Sequence, residues 1–148
     1  MRKNLSKKYD IGLIGLGTTG KEHLRYYLQR TDIKNIFISD IKKLKISKNK
    51  KIIIDPGLKK FEKSNNIKIV SVSNYDKDHY KKILKYHSNS HIFVEKPLCR
   101  KHFEIKKIFR SIKKNRYNFL LNSNLVLRKA EIFNKILQQV IKGKFGKI

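Results

Sequence analysis

The segment Ile11-Gly-Leu-Ile-Gly-Leu-Gly-Thr-Thr-Gly20 constrains the chain more than any other, because a short apolar run breaks into Gly15-x-Gly17-x-x-Gly20 and then continues with helical spacing to Leu28. A strand, a tight turn and a helix start follow from that pattern. Gly15 lets the chain turn sharply, Gly17 removes a Cβ where backbone must come close to a ligand, and Gly20 lets the helix pack tightly against the strand. The free N–H groups of the first helical turn, around Thr18 and Thr19, and the positive end of the helix dipole then form a seat for phosphate. Downstream, Asn35-Ile-Phe-Ile-Ser-Asp40 ends in an acid 20 residues beyond Gly20. Dinucleotide sites place a ribose-binding carboxylate at about that separation. These residues together predict a dinucleotide-binding unit rather than a glycine-rich turn of purely structural meaning.

The rest of the chain alternates short apolar runs with amphipathic stretches. Residues 36–39 read as a second strand, and the lysine-rich stretch 42–51 as a connection too short and polar for a long helix. Residues 51–55 can form a brief strand, after which Asp55-Pro56 fits an N-cap followed by proline at the first helical position, opening a short helix through Phe61. A strand over 67–72, a helix over 76–86 carrying Tyr80, Ile83 and Leu84, and a strand over 91–94 come next. Phe103, Ile105, Ile108, Phe109 and Ile112 share one side of a helix over 102–113, and 117–121 is a further strand. The last helix is expected from about 129 to 142, with Gly143 at its C-terminal cap. Regular alternation of strand and helix predicts an α/β fold. Right-handed crossovers make it a doubly wound parallel sheet, and with the glycine turn and the family resemblance given below the expectation is an NAD(P)-binding Rossmann fold.

A chain of 148 residues fits one ordinary domain, and 39% hydrophobic residues suffice for its core. The formal net charge of +26 would ordinarily suggest nucleic acid or an anionic membrane surface. The basic residues are mostly Lys rather than the Arg favoured for bidentate contacts, and they spread along the whole chain. Nucleic acid is therefore not an expected partner, and much of the charge reads as solvated surface. Cys99 is the only cysteine, so no intrachain disulfide forms, and a small half-buried side chain is the expected role. No apolar stretch spans a bilayer and the first residues lack the apolar core of a signal peptide, so a cytoplasmic protein without a membrane partner is expected.

A second motif, Phe93-Val-Glu-Lys-Pro-Leu-Cys99, follows a strand and precedes a helix, which places it at the carboxyl edge of the sheet. Together with Gly15-Leu-Gly-Thr-Thr-Gly20, the Glu95-Lys96-Pro97 triplet resembles the Gfo/Idh/MocA family of NAD(P)-dependent oxidoreductases. Three segments extend the likeness: Ser71-Val-Ser-Asn-Tyr-Asp-Lys-Asp-His79, Asn122-Ser-Asn-Leu-Val-Leu-Arg128 and Gly143-Lys-Phe-Gly-Lys-Ile148.

The resemblance implies that Lys96 is the catalytic lysine, reaching a substrate hydroxyl beside the nicotinamide. An ammonium there hydrogen-bonds the alcohol oxygen and stabilises the negative charge that grows as hydride leaves carbon. Pro97 matches a proline, often cis, that turns the backbone toward the pocket. Glu95 either orients Lys96 or pairs with it electrostatically. His79 matches the family's loop histidine, as a structural or cofactor-contacting residue rather than a base. Ser73 and Asn74 would line the loop over the pyrophosphate and nicotinamide ribose, although this loop departs from the commoner Thr-Pro-Asn pattern. His23, His87, His91 and His102 read as surface or packing residues, and no metal site is expected.

The implied cofactor is NAD or NADP. Asp40 favours NAD, because a carboxylate accepts from both ribose hydroxyls and repels a 2′-phosphate, while Lys42 and Lys43 can offset that repulsion. Residues 1–142 are expected to form the dinucleotide domain and 143–148 to begin a truncated second domain, the one that carries the substrate pocket in the family. A fragment, a subunit completed by a second chain, or a degenerate protein all fit that expectation. The function so implied is hydride transfer between the nicotinamide and a hydroxyl or carbonyl carbon of a small-molecule sugar, cyclitol or related polyol, once a substrate domain is supplied. The alternative is a non-catalytic nucleotide- or polyanion-binding module left by truncation.

Overall fold

A computed structural model describes residues 8–114, 120–123 and 131–144. Six strands form one sheet: β1 (Tyr9–Ile14), β2 (Ile33–Ser39), β3 (Ile52–Ile54), β4 (Ile67–Val72), β5 (His91–Val94) and β6 (Leu121–Ser123). The helices are α1 (Thr18–Gln29), α2 (Lys59–Glu62), α3 (His79–Tyr86), α4 (His102–Lys114) and α5 (Glu131–Ile141). The strand order is β3-β2-β1-β4-β5-β6, and every neighbouring pair is parallel.

Two separate apolar cores show why both faces are covered. Alternation along β1 sends Ile11 and Leu13 to one side, where they meet Ile33, Ile36 and Ile38 of β2 and Leu24 of α1. Ile14 goes to the other side, joining Phe37, Val70, Val72, Ile92 and Val94 beneath Phe61 of α2, Ile83 and Tyr86 of α3, and Ile108 of α4. Each such side chain contributes about 1.5–3 kcal/mol when fully buried. The chain builds outward from β1 through β2 to β3, then crosses back to β4 and builds the other way. With right-handed crossovers this reversal puts α1 on one face and α2 to α4 on the other. It also creates a switch point between β1 and β4, and the crevice outside their carboxyl ends is where ligands of such sheets bind.

The doubly wound α/β expectation holds, and several boundaries move. β2 starts at Ile33, directly after Asp32, rather than at residue 36. Pro56–Leu58 is a 3-10 turn ending in Leu58 at φ 59°, so the short helix is only Lys59–Glu62. Asp55 nevertheless caps that helix, because its Oδ2 accepts the N–H groups of Lys60 and Phe61 at 2.9 Å each. Asp76–Asp78 is likewise a 3-10 turn, and α3 begins at His79. The strand expected over 117–121 is displaced: Leu120 precedes the strand, β6 runs Leu121–Ser123, and 117–119 lie outside the described residues. The segments 124–128 and 145–148 that carried part of the family likeness also lie outside them. Among the described residues no helix is long and apolar enough to cross a membrane.

Candidate functional site

The turn from β1 into α1 is packed from below and open above. Gly15 has φ +88°, and a Cβ there would fall 2.7 Å from the Asn74 backbone. A Cβ on Gly20 would fall 2.1 Å from the Gly15 carbonyl oxygen, so the first turn of α1 can lie on the β1 loop only with glycine at this place. At Gly17 the situation is reversed, for a Cβ there meets nothing within 4 Å. Gly17, Thr18 and Thr19 are exposed, and Gly17 caps α1 without any side-chain hydrogen bond. The first intrahelical bond is donated by Lys21 to Gly17. The preceding N–H groups of the helix are therefore free to meet an anion, in the open space above Gly17.

The neighbouring strand ends complete the crevice. Ser73 donates its backbone N–H to Ile14 at 2.8 Å and its hydroxyl to the Gly15 carbonyl at 2.8 Å, which makes it a buttress of the glycine turn. Beside it, Asn74 Oδ1 is the one buried side-chain oxygen or nitrogen without a hydrogen-bond partner among the described residues. Buried polar groups rarely go unpaired, and such a group at a crevice is one that a ligand can engage. His79, only 1% exposed, faces the Pro97 carbonyl through Nδ1 at 2.8 Å and the Asn74 carbonyl through Nε2 at 3.0 Å. It thereby ties the loop after β4 to the loop after β5. The Lys96–Pro97 peptide bond is cis, and both residues are exposed at the end of β5.

Asp40 stands at the end of β2. Its Oδ2 accepts the Leu16 N–H at 2.6 Å and its Oδ1 accepts the Lys42 N–H at 2.8 Å. Partial burial pushes the carboxyl up, but the N–H groups of Lys42, Leu16 and Ile41 outweigh that effect and hold it below the ordinary Asp range. Asp40 is therefore a carboxylate that already braces the glycine turn, with lone pairs left for a ribose. Lys42 and Lys43 are exposed beside it.

The structure brings Gly15, Gly17, Thr18, Thr19, Gly20, Asp40, Ser73, Asn74, Glu95, Lys96 and Pro97 to the carboxyl edge of β1, β2, β4 and β5, with His79 beneath. Glu95 also makes a contact that the sequence reading did not include: its Oε1 lies 2.9 Å from His23 Nε2. His23 Nδ1 lies 3.0 Å from Ser71 Oγ. Of the surface-or-packing reading of His23 the packing half holds, since this side chain is 13% exposed, and it is bonded at both ring nitrogens besides. The available signal was its helical face, which Gly20 and Leu24 bury against the sheet; an imidazole on such a face needs partners. His87 and His91 do serve packing, through Ser111 and the Leu120 N–H respectively. Open grooves of about 490 and 620 Å³ lie elsewhere, lined by residues such as Tyr27, Ile69 and Phe93, or Leu44 and Ile52.

Fold and crevice define a dinucleotide-binding α/β domain. The sequence profile of the oxidoreductase family with an NAD-binding Rossmann fold, Gfo/Idh/MocA, matches residues 9–122. The chain belongs to that family, and this region is its NAD(P)-binding domain. Similar solved structures include myo-inositol 2-dehydrogenase from Lactobacillus plantarum, 18% identical with a TM-score of 0.71, covering 96% of this chain and 43% of that one. The apo scyllo-inositol dehydrogenase from Lactobacillus casei is 19% identical with a TM-score of 0.71, covering 97% and 44%. KijD10, a 3-ketoreductase from Actinomadura kijaniata in complex with TDP-benzene and NADP, is 14% identical with a TM-score of 0.71, covering 96% and 46%. At these identities the likeness is one of fold, and the chain spans less than half the length of each structure. No curated protein matches the chain.

Proposed function

We propose that the crevice binds a nicotinamide dinucleotide for hydride transfer to or from a hydroxyl or carbonyl carbon of a sugar, cyclitol or related polyol. The observation that carries this reading is the open space at Gly17, where a Cβ would meet nothing within 4 Å, beside the uncapped first N–H groups of α1. The diphosphate would rest on Thr18, Thr19 and Gly20, the adenosine ribose beside Asp40, and the nicotinamide ribose near Asn74. When bound, the nicotinamide supplies the hydride acceptor or donor. Lys96 donates a hydrogen bond to the reacting oxygen and stabilises the charge that develops on it. His79 holds the Pro97 carbonyl, and with it the backbone that carries Lys96. Asp40 supports NAD, because a 2′-phosphate would meet a carboxylate kept ionised by its backbone partners. The polyol class is supported by the inositol dehydrogenases among the similar structures. Residues 1–142 would act as the cofactor half of a catalyst whose substrate pocket lies in a further domain.

Titration of NADH fluorescence with the wild type and Gly17→Val tests the cofactor site directly. The valine side chain fills free space, so the variant folds, and its affinity falls at least about tenfold because the side chain occupies the diphosphate position. Equal weak binding by both proteins would remove the dinucleotide reading.

A further inference from the structure

A buried chain of hydrogen bonds links the helix that starts at the glycine turn to the strand end that carries Lys96. Glu95 accepts at Oε1 from His23 Nε2 at 2.9 Å, which leaves Nδ1 of the neutral ring to accept from the Ser71 hydroxyl at 3.0 Å. Burial pushes the phenol of the nearby Tyr27 up. The three groups thus run in one donor direction, Ser71 to His23 to Glu95, without a conflict. His23 and Glu95 side chains are 13% and 11% exposed, and Ser71 is fully buried. Phe93 and Tyr27 pack edge-on against the imidazole, with ring centroids 5.2 and 6.3 Å away, and fix its plane.

The position of this network in the fold gives it a consequence. His23 lies on α1, one turn beyond the N–H groups of Thr18 to Gly20, while Glu95 directly precedes Lys96 at the end of β5. A dinucleotide lying across the switch point puts its diphosphate on the helix and its second nucleoside over the β4 and β5 ends. We infer that His23 is a positioning residue, which fixes the Glu95-Lys96 strand end against α1 and so sets the site for the nicotinamide half of the cofactor while leaving the ADP half alone. The carboxylate is mostly buried, and a charge-assisted bond to imidazole holds it in one orientation. Without that bond the Glu95 carboxylate loses its tie to α1, and the strand end that precedes Lys96 is no longer fixed to the helix from this side chain.

This inference rests on the dinucleotide reading above, and a paired titration separates the two. His23→Phe keeps an aromatic ring against Phe93 and Tyr27 but removes both hydrogen bonds. Affinity for NADH is expected to fall about tenfold, the size of one lost charge-assisted bond, while affinity for ADP stays within about twofold. His23→Gln, whose amide can still donate to Glu95, is expected to recover part of the NADH affinity. Equal loss for NADH and ADP, or loss for neither, overturns the role of His23. Failure of the wild type to bind either nucleotide overturns the cofactor reading and this inference with it. Should His23→Phe not fold, the ring ¹⁵N resonances of His23 in the wild type decide: NADH shifts them and ADP does not, and an equal response to both ligands overturns the proposal.

Discussion

The carboxylate of Asp40 accepts the backbone N–H of Leu16 at 2.6 Å, which joins the end of β2 to the middle of the glycine turn. The same residue therefore shapes the glycine turn and, on the proposed reading, would also meet a ribose. Replacing it with alanine removes this bond and the one from Lys42, a loss of about 2 kcal/mol in unfolding free energy at neutral pH. The sign of the pH effect follows from its lowered folded-state pKa. A group whose carboxylate is favoured by the fold contributes above the unfolded pKa of about 4, and that contribution fades as pH falls through the folded value. Urea unfolding of the wild type and Asp40→Ala at pH 7 and near pH 3 checks this, and a gap that widened in acid would contradict it.

Gly17 and Gly20 belong to one motif but answer to different demands. Gly20→Ala forces a Cβ to within 2.1 Å of the Gly15 carbonyl oxygen, a backbone atom that cannot step aside. The strain should lower stability by about 2–4 kcal/mol or prevent folding. Gly17→Ala meets nothing within 4 Å, so its melting temperature should stay near that of the wild type while NADH affinity falls. Thermal unfolding alongside NADH titration separates the two, and similar melting losses for both variants would refute the division.

The sequence revealed most where local chemistry and tertiary demand agreed. The β1-turn-α1 unit was legible because the glycines, the apolar run and the helix spacing all specify the same turn, and β4 and β5 because their apolar runs end cleanly. Leu58 shows the limit: its positive φ ends a 3-10 turn so that Phe61 can enter the core, and although Pro56-Gly57 is a turn signal, no local feature calls for a left-handed leucine after it. The His23–Glu95 bond was illegible for a different reason. Its partners are 72 residues apart, and only the β1-β4-β5 order brings them together. The lysine at position 96 was visible through its flanking residues, while the groups that hold its strand end in place were not.

Asp55 supports the second core from outside the helix it caps. Its carboxylate is 3% exposed and receives the N–H groups of Lys60 and Phe61, which fixes α2 and the Phe61 ring over β1. Asp55→Ala should cost about 2 kcal/mol, at the upper end for a lost cap. Asp55→Asn, which keeps one acceptor oxygen, should cost less. Chemical denaturation with near-ultraviolet spectra of the Phe61–Tyr86 region reads both effects, and equal losses in the two variants would show that charge rather than acceptance matters.

His79 and Lys96 give opposite expectations although they stand at the same edge. His79 is buried, and its nitrogens face the Asn74 and Pro97 carbonyls, only one of which a neutral ring can serve as donor. His79→Ala leaves a cavity and removes the tie between the two loops, for a loss of about 2–4 kcal/mol and a parallel drop in NADH affinity. Lys96 is exposed, so Lys96→Ala should change stability by less than about 0.5 kcal/mol. On the proposed reading its effect would fall on the reacting oxygen and appear only in hydride transfer once a substrate domain is present. Unfolding midpoints measured side by side decide the matter: a stable His79→Ala with an unstable Lys96→Ala would mean that the imidazole is not what holds the β4 and β5 loops together.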